Sequence, residues 1–244
     1  MTVTDYKTAI VTGASSGIGD AVCRMLAGKG MTVHALARRT DRLEALAAET
    51  GAIPHAVDVT DAEALANVVG GIEADVLVNN AGTTFNGKLD TMPPERIDQI
   101  LDLNVRAMMQ LTRLVLPGMR ARNRGHVFLT GSCAGLWPMA GSAPYAASKA
   151  AVSQFLNILR LDTLGTKIRW TEIVPGRVET EIFGLAMGDA EAARKAFLEG
   201  KEALQPTDIA ESIGFALSLP DRATLARMEI YPTRQAVGGF AYAD

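Results

Sequence analysis

Short apolar, β-prone runs alternate with segments of helical periodicity along almost the whole chain of 244 residues. Strands separated by helices of this length pair in parallel through right-handed crossovers, which buries the strands on both faces. The alternation therefore predicts an α/β fold, a doubly wound parallel sheet of about seven strands with helices on both faces. No repeat or linker interrupts the pattern, so we expect one domain over residues 1–244. The strands are predicted at residues 8–11, 31–37, 52–57, 75–78, 126–130, 168–174 and 228–231.

Composition excludes several classes of function. The net charge is −3, from 24 basic and 27 acidic residues, and no basic block is present, so we expect no nucleic-acid partner. Two cysteines and three histidines lie too far apart in sequence to suggest a zinc site, and two cysteines fit a reducing cytoplasm. The N-terminus lacks the pattern of a signal peptide. The one long uncharged run, residues 127–148, is broken by glycines and prolines, so we expect no membrane span.

A glycine-rich turn, Thr-Gly-Ala-Ser-Ser-Gly-Ile-Gly at residues 12–19, joins the first predicted strand to the first predicted helix. Glycines at such a junction let the backbone turn tightly and approach a pyrophosphate, whose charge meets the N-terminus of the helix. A glycine turn without a ligand is the alternative, and its position between strand and helix argues against it. The turn therefore predicts a dinucleotide-binding site formed by Gly13, Ser15, Ser16, Gly17, Ile18 and Gly19.

The end of the second predicted strand indicates which dinucleotide is bound. Folds that choose NAD place an acid there to bind the ribose 2′-hydroxyl. This chain has Ala37, Arg38 and Arg39 instead, and two guanidinium groups suit the 2′-phosphate of NADP(H). The alternative is a pair of solvated arginines at the start of a helix, where cations are mildly unfavourable. We therefore predict NADP(H) as the cofactor.

The Gly-xxx-Gly-x-Gly spacing resembles the single-domain short-chain dehydrogenases/reductases, and further motifs of that family follow in order along nearly the whole chain. The resemblance implies a Rossmann fold and further contacts to the cofactor. Those contacts would come from the aspartate after the third strand, the Asn-Asn-Ala-Gly segment, the Tyr-xxx-Lys pair and the Pro-Gly-x-Val-x-Thr stretch. The residues concerned are Asp58, Val59, Asn80, Ala81, Gly82, Tyr145, Lys149, Pro175, Gly176, Val178 and Thr180.

Tyr145 and Lys149 stand four residues apart at the start of a predicted helix, so their side chains face the same side. The pKa of a phenol is near ~10, and a nearby ammonium lowers it toward the range that general acid–base catalysis needs. The resemblance implies that Ser132 polarises a substrate carbonyl, that Lys149 holds the nicotinamide ribose, and that Asn104 ties Lys149 to a chain of water molecules. Taken singly, these residues also suit a half-buried tyrosine, a surface lysine and the cap of a strand end.

Residues after Ser132 and after the Pro-Gly turn are predicted to line the substrate pocket. A lid over about residues 181–204 is predicted to cover it. Residues 131–138 and 228–236 resemble NADP-dependent 3-hydroxy acid (serine or malonic semialdehyde) dehydrogenases and sulfoacetaldehyde reductases. An anionic substrate needs a fork-shaped cation, which Arg177 or Arg234 could supply. Arg234 is equally a surface or subunit-contact arginine. We expect substrate contacts from Ser132, Ala134, Trp137, Met139, Tyr145, Arg177, Phe183 and Arg234.

The sequence thus predicts an NADPH-dependent carbonyl reductase, or alcohol dehydrogenase, for a short, polar and anionic aldehyde or ketone. Two alternatives stay open: a reductase of neutral ketones in a biosynthetic pathway, and a catalytically silent NADP-binding sensor. The set of Asn104, Ser132, Tyr145 and Lys149 argues against the sensor, which would not need all four. The resemblance also implies a homotetramer, or a homodimer, that assembles through helices at residues 101–119 and 146–164.

Overall fold

A seven-stranded sheet, parallel throughout, forms the centre of the computed structural model, which describes residues 6–236. This confirms the predicted fold class. The ends of the predicted domain, residues 1–5 and 237–244, lie outside the described part. The strands are β1 (Thr8–Thr12), β2 (Thr32–Ala37), β3 (Ile53–Ala56), β4 (Val76–Asn79), β5 (Gly125–Thr130), β6 (Ile168–Pro175) and β7 (Arg227–Ile230), in the spatial order β3-β2-β1-β4-β5-β6-β7.

Nine α-helices connect the strands within the described residues, and none of them is long and apolar enough to cross a membrane. They are α1 (Gly17–Gly28), α2 (Thr40–Thr50), α3 (Ala62–Val69), α4 (Pro94–Leu101), α5 (Met108–Ala121), α6 (Ala143–Asp162), α7 (Ile182–Met187), α8 (Ala190–Phe197) and α9 (Pro206–Ser218).

Two hydrophobic cores cover the two faces of the sheet. Successive side chains of β1 alternate between them, with Ile10 in one core and Val11 in the other, as the pleat of a strand requires. The first core lies under α1 and α9, and the second lies under α3, α5 and α6. Because both faces are covered, β1 and β4 are apolar except at their ends, whereas β6 buries the polar side chains of Arg169, Thr171 and Glu172.

Two helical segments border the site. A π-helical segment, Asp102–Ala107, joins α4 to α5 in one continuous helical run. The predicted lid, about residues 181–204, contains α7 and α8, and α8 ends at Phe197. Gly188 and Gly200, with φ near +70°, stand after the two lid helices and help to end them.

The order of the strands places a crevice at the carboxyl end of the sheet. β1 pairs with β2 on one side and with β4 on the other, so the chain reverses its direction of winding between β1 and β4. In open α/β sheets the loops after such neighbouring strands diverge and leave a ligand-binding crevice. The glycine turn after β1 and the Asn-Asn-Ala-Gly segment after β4 therefore meet at this point.

Candidate active site

A cavity of about 870 Å³ opens along the carboxyl ends of the strands. Most of the site residues that were predicted from the sequence line this cavity. They are Gly13, Ser15, Ser16, Gly17, Ile18, Arg38, Arg39, Asp58, Val59, Asn80, Ala81, Gly82, Ser132, Met139, Tyr145, Lys149, Pro175, Gly176, Arg177, Val178, Thr180 and Phe183.

The glycine turn is folded so tightly that side chains at two of its positions would not fit. Gly13 has φ near +68°, a left-handed conformation that favours glycine. Gly19 lies behind the cavity wall, and a Cβ atom there would overlap the carbonyl oxygen of Gly13. α1 can therefore begin directly beneath the turn, which turns its first backbone N–H groups toward the cavity as donors for an anion.

Thr12 ties this turn to the segment after β4. Its Oγ1 accepts hydrogen bonds from the backbone N–H groups of Asn80 and Ala81, both at 3.0 Å, and the Asn80 side chain donates to the Thr12 carbonyl at 3.2 Å. One hydroxyl at the end of β1 thus fixes the position of the Asn-Asn-Ala-Gly backbone. The two loops that form the floor of the crevice are held as one unit.

Arg38 reaches into solvent at the rim of the cavity. Its side chain is 75% exposed, and its Nη1 lies 3.8 Å from Oδ2 of Asp58. Although burial opposes it, hydrogen bonds from Thr60 together with the Arg38 charge hold the pKa of Asp58 below its usual value. The rim therefore presents a solvated guanidinium next to an ionised carboxylate.

Arg39 is folded back against the protein. Its Nε donates to Ser15 Oγ at 3.1 Å, its Nη2 donates to Ser16 Oγ at 2.6 Å, and its Nη1 pairs with Oε2 of Glu181 at 2.8 Å. From the sequence, both arginines were predicted to bind the 2′-phosphate in the same way. The structure distinguishes them, because Arg38 is exposed and Arg39 is bound to the glycine turn and to the lid.

Ser132, Tyr145 and Lys149 converge on the opposite side of the cavity. Ser132 follows β5 and caps a short 3-10 turn, Cys133–Gly135, by accepting the Ala134 N–H at 3.2 Å. Tyr145 lies in the first turn of α6, and Lys149 lies one turn later, with its Nζ 5.8 Å from the centre of the Tyr145 ring. The Lys149 ammonium donates to the Thr130 carbonyl at 2.8 Å, which fixes the side chain against the end of β5.

Burial shifts the pKa values of Tyr145 and Lys149 in opposite directions. Burial raises the pKa of Tyr145 to about 12, with a hydrogen bond to Ser132 acting in the opposite direction. Burial lowers the pKa of Lys149 to about 8, and the Glu172 carboxylate partly counteracts this. Burial is thus the main cause of the raised pKa of Tyr145, and the lowering of that pKa by Lys149 stays a prediction. At neutral pH the phenol carries its proton.

Asn104 lies behind the cavity wall, in the π-helical segment. Its Oδ1 accepts the Thr83 N–H at 2.8 Å, and its Nδ2 donates to the Thr83 carbonyl at 2.9 Å and to Ser148 Oγ at 3.0 Å. Ser148 in turn donates to the Tyr145 carbonyl at 2.7 Å. Asn104 therefore connects the loop after β4 to the first turn of α6, and its amide is engaged by protein groups on both sides.

The lid end of the cavity is apolar, with one buried cation. Phe183 and Phe197 from the two lid helices stack with their ring centres 4.6 Å apart. Arg177 is 4% exposed, donates from Nη1 to the Phe197 carbonyl, and lies with Cζ 5.8 Å from the Phe197 ring. Its charge also lowers the pKa of Cys133, next to Ser132, although burial raises that pKa more strongly.

Three of the predicted substrate contacts lie away from this wall. Ala134 lies in the 3-10 turn and is buried. Trp137 is 41% exposed and hydrogen-bonds to Tyr231. Arg234 has a 61% exposed side chain whose Nε lies 3.9 Å from Glu202. These three side chains are therefore not on the described cavity wall, and their contact with substrate stays a prediction, whereas Arg177 is on the wall at the lid end.

Sequence reasoning missed several parts of the wall. Glu181 and Phe197 come from the lid, Thr83 and Thr84 come from the loop after β4, and Gln99, Asp102 and Leu103 come from α4 and the π-helical segment. Glu181 directly follows the Pro-Gly-x-Val-x-Thr stretch, so that motif indicated a place near the cofactor. Its pairing with Arg39, 142 residues away in the chain, had no local signal. Phe197 carried no signal, since an aromatic residue on a short polar helix is not distinctive in a sequence.

Comparisons with known proteins agree with this geometry. Residues 7–189 match the family model described as short chain dehydrogenase. The chain is 38% identical to the NADP-dependent 3-hydroxy acid dehydrogenase YdfG of Salmonella typhi, covering 95% of this chain and 97% of that one. It is 37% identical to a sulfoacetaldehyde reductase of Chromohalobacter salexigens, covering 95% and 96%. Among solved structures, the closed form of serine dehydrogenase complexed with NADP+ aligns with a TM-score of 0.92, 34% identity, and coverage of 97% and 99%.

Proposed function

Because the chain belongs to the short-chain dehydrogenase family, we propose that it is an NADPH-dependent reductase of a short, polar and anionic aldehyde or ketone. Substrates of the 3-oxo acid semialdehyde or sulfoacetaldehyde type fit this description. The observation that carries the proposal is the convergence of Ser132, Tyr145 and Lys149 on one wall of a cavity whose other end is the glycine turn.

The cofactor is NADP(H), which the similar 3-hydroxy acid dehydrogenase and serine dehydrogenase also use. The residues present fit it. Gly13 and Gly17 of the glycine turn lie on the cavity wall with Ser15 and Ser16, and Arg38 offers an exposed guanidinium at the end of β2. A volume of about 870 Å³ lies near the upper end of the range of small-molecule sites, roughly 300–1,000 Å³. When bound, this group supplies the hydride for the carbonyl carbon.

The chain's own residues supply the proton and orient the carbonyl. Since the pKa of Tyr145 is raised to about 12, its Oη carries a proton at neutral pH and can donate it to the carbonyl oxygen as negative charge develops there. Ser132 Oγ, on the same wall, donates a hydrogen bond to that oxygen. Lys149, with a pKa of about 8, is mostly cationic at neutral pH and stabilises the phenolate that the transfer leaves on Tyr145.

Arg177 supports an anionic substrate. It is the cation at the lid end of the cavity, within reach of the Ser132 side, while Arg38 and Arg39 lie at the end of β2. The surrounding Phe183, Phe197 and Met139 leave an apolar and confined space, which suits a short carbon chain that ends in a carboxylate or sulfonate. The names of the similar 3-hydroxy acid dehydrogenase and sulfoacetaldehyde reductase point to the same class.

The assembly we propose is a homotetramer, or a homodimer, formed through the long helices. Three apolar side chains at the end of α6 are exposed in the single chain: Ile158 by 45%, Leu161 by 61% and Leu164 by 76%. Exposed apolar side chains close together in the chain, at and just after the end of a helix, are typical of subunit contacts.

A rate screen tests the proposed function. The oxidation of NADPH is followed at saturating cofactor with three sets of carbonyl compounds of similar size, bearing a carboxylate, a sulfonate or no charge. We expect kcat/KM to be highest for one of the anionic sets. Equal rates with neutral ketones would remove the anionic substrate, and absence of turnover with every set would leave the NADP-binding sensor.

A further inference from the structure

Glu181 stands where the lid leaves the cavity wall, and two arginines hold its carboxylate. It follows Thr180 and immediately precedes α7. Its Oε2 pairs with Nη1 of Arg39 at 2.8 Å, and its Oε1 pairs with Nη1 of Arg42 at 2.6 Å. Both arginines come from the junction of β2 and α2, the region that the sequence assigns to cofactor selection. The catalytic residues described above make no use of these contacts.

The Arg39 guanidinium is already engaged on all three of its nitrogens. Nε and Nη2 donate to Ser15 and Ser16 of the glycine turn, and Nη1 donates to Glu181. The same two arginines hold the pKa of Glu181 below its usual value, so the carboxylate is ionised at neutral pH. These contacts use three of the five guanidinium N–H groups, so a phosphate that takes donors from Arg39 either displaces Glu181 at Nη1 or lies beside its negative charge.

We propose that Glu181 is a specificity-determining residue that competes with the 2′-phosphate of NADP(H) for Arg39 and Arg42. This inference rests on the proposed function and adds a residue from the lid to the selection of the cofactor. In the free protein the Glu181 carboxylate occupies the anion position at the two guanidiniums. The 2′-phosphate displaces it when the cofactor binds. The result is a weaker but still selective preference for the phosphorylated cofactor.

The expected size of the effect follows from exposure. The side chains of Glu181, Arg39 and Arg42 are 35–44% exposed, so water and salt screen the pairs. Exposed ion pairs of this kind contribute modestly, which corresponds to a change of up to about fivefold in a binding constant. NADH has no 2′-phosphate, so its affinity should not depend on Glu181. Arg38, whose Nη1 lies 3.8 Å from Asp58, keeps the site selective for the phosphorylated cofactor whether or not Glu181 carries a charge.

Cofactor binding to Glu181→Gln tests the proposal directly. Dissociation constants for NADPH and NADH are measured by fluorescence titration at low and high salt, without substrate. We expect the variant to bind NADPH about two- to fivefold more tightly than the unmodified protein does, and to bind NADH with the same dissociation constant. The gain in NADPH affinity should be smaller at high salt. Unchanged or weaker NADPH binding, or an equal gain for both cofactors, would overturn the proposal.

Glu49→Gln is the matched control. Glu49 is an exposed carboxylate that pairs with Arg24 at 2.5 Å, and neither residue is on the cavity wall. This variant removes the same charge from the protein and should leave both dissociation constants unchanged. An equal gain in NADPH affinity would attribute the effect to net charge and overturn the role of Glu181. If the unmodified protein binds NADPH no better than NADH, the cofactor in the proposed function fails as well, so the two failures are distinguishable.

Discussion

Lys149 is the residue at which function and stability conflict most clearly. The residue is 5% exposed, and its ammonium has a pKa of about 8, far below the ordinary value of 10.5. A base whose pKa is lower in the folded state binds fewer protons there than in the unfolded chain. Below pH 8 the charged lysine therefore destabilises the fold, and this destabilisation is lost as the pH rises from about 8 to 10.5.

Lys149→Met should accordingly stabilise the protein while it abolishes turnover. At pH 7 we expect the free energy of unfolding to rise by up to about 3 kcal/mol, from roughly 1.4 kcal/mol per unit of pKa shift. Urea denaturation at pH 7 and pH 10 measures this. The advantage of the variant should shrink at pH 10, where the unmodified lysine is neutral in the folded protein. A variant that is less stable at pH 7, or an advantage independent of pH, would contradict the pKa assignment.

At the scale of elements, α1 owes its position to a contact between backbones. Gly19, in its first turn, lies directly against the carbonyl of Gly13, and a methyl group cannot be accommodated unless the glycine turn moves. Overpacking of this kind typically costs about 1–3 kcal/mol. We expect Gly19→Ala to lose that much stability and to weaken NADPH binding more than tenfold, because the turn is also the candidate phosphate site.

Gly28→Ala, in the last turn of the same helix, is the control. Nothing lies within 4 Å of the position that its Cβ would take. Alanine has the higher helix propensity, so the melting temperature should stay the same or rise, with cofactor binding unchanged. If both substitutions have the same effect on binding, close packing at Gly19 is not what shapes the turn.

At the scale of the whole molecule, the exposed end of α6 should be buried between subunits. Leu161→Glu replaces a 61% exposed leucine of the single chain with a charge. In an interface this charge would lose its hydration without gaining a partner, so we expect the assembly to dissociate. Light scattering after size exclusion measures the mass of both proteins. A monomeric unmodified protein would contradict the proposed assembly, and an unchanged mass of the variant would place the interface elsewhere.

Local patterns predicted most of this molecule, since they depend on residues close together in the chain. The glycine turn, the four-residue spacing of Tyr145 and Lys149, and the alternation of strands and helices led to the α/β fold and to the family, and the structure and the comparisons confirm both. The cofactor was predicted from two adjacent arginines. The glycine turn, the Tyr145–Lys149 spacing and the arginine pair each depend on residues that are neighbours in the chain.

The remaining features depend on contacts that no local pattern specifies. The pairing of Glu181 with Arg39 joins residues from opposite halves of the chain. Trp137 and Arg234 were predicted to contact the substrate, but in the structure they lie off the cavity wall, with Trp137 41% exposed and Arg234 near Glu202. The pKa of Tyr145 follows from its burial, which a sequence does not reveal.

The central claim is that the phenol of Tyr145 delivers the proton to the carbonyl. Tyr145→Phe removes one oxygen atom from the cavity wall and leaves the glycine turn and the arginines unchanged. The decisive measurement is the steady-state rate of NADPH oxidation by this variant with the best anionic carbonyl from the screen, paired with its NADPH dissociation constant. We predict a rate below 1% of the unmodified protein, in line with the roughly 10²–10⁴-fold contribution of general acid catalysis, and nearly unchanged NADPH binding. Turnover of more than a few per cent would contradict the account.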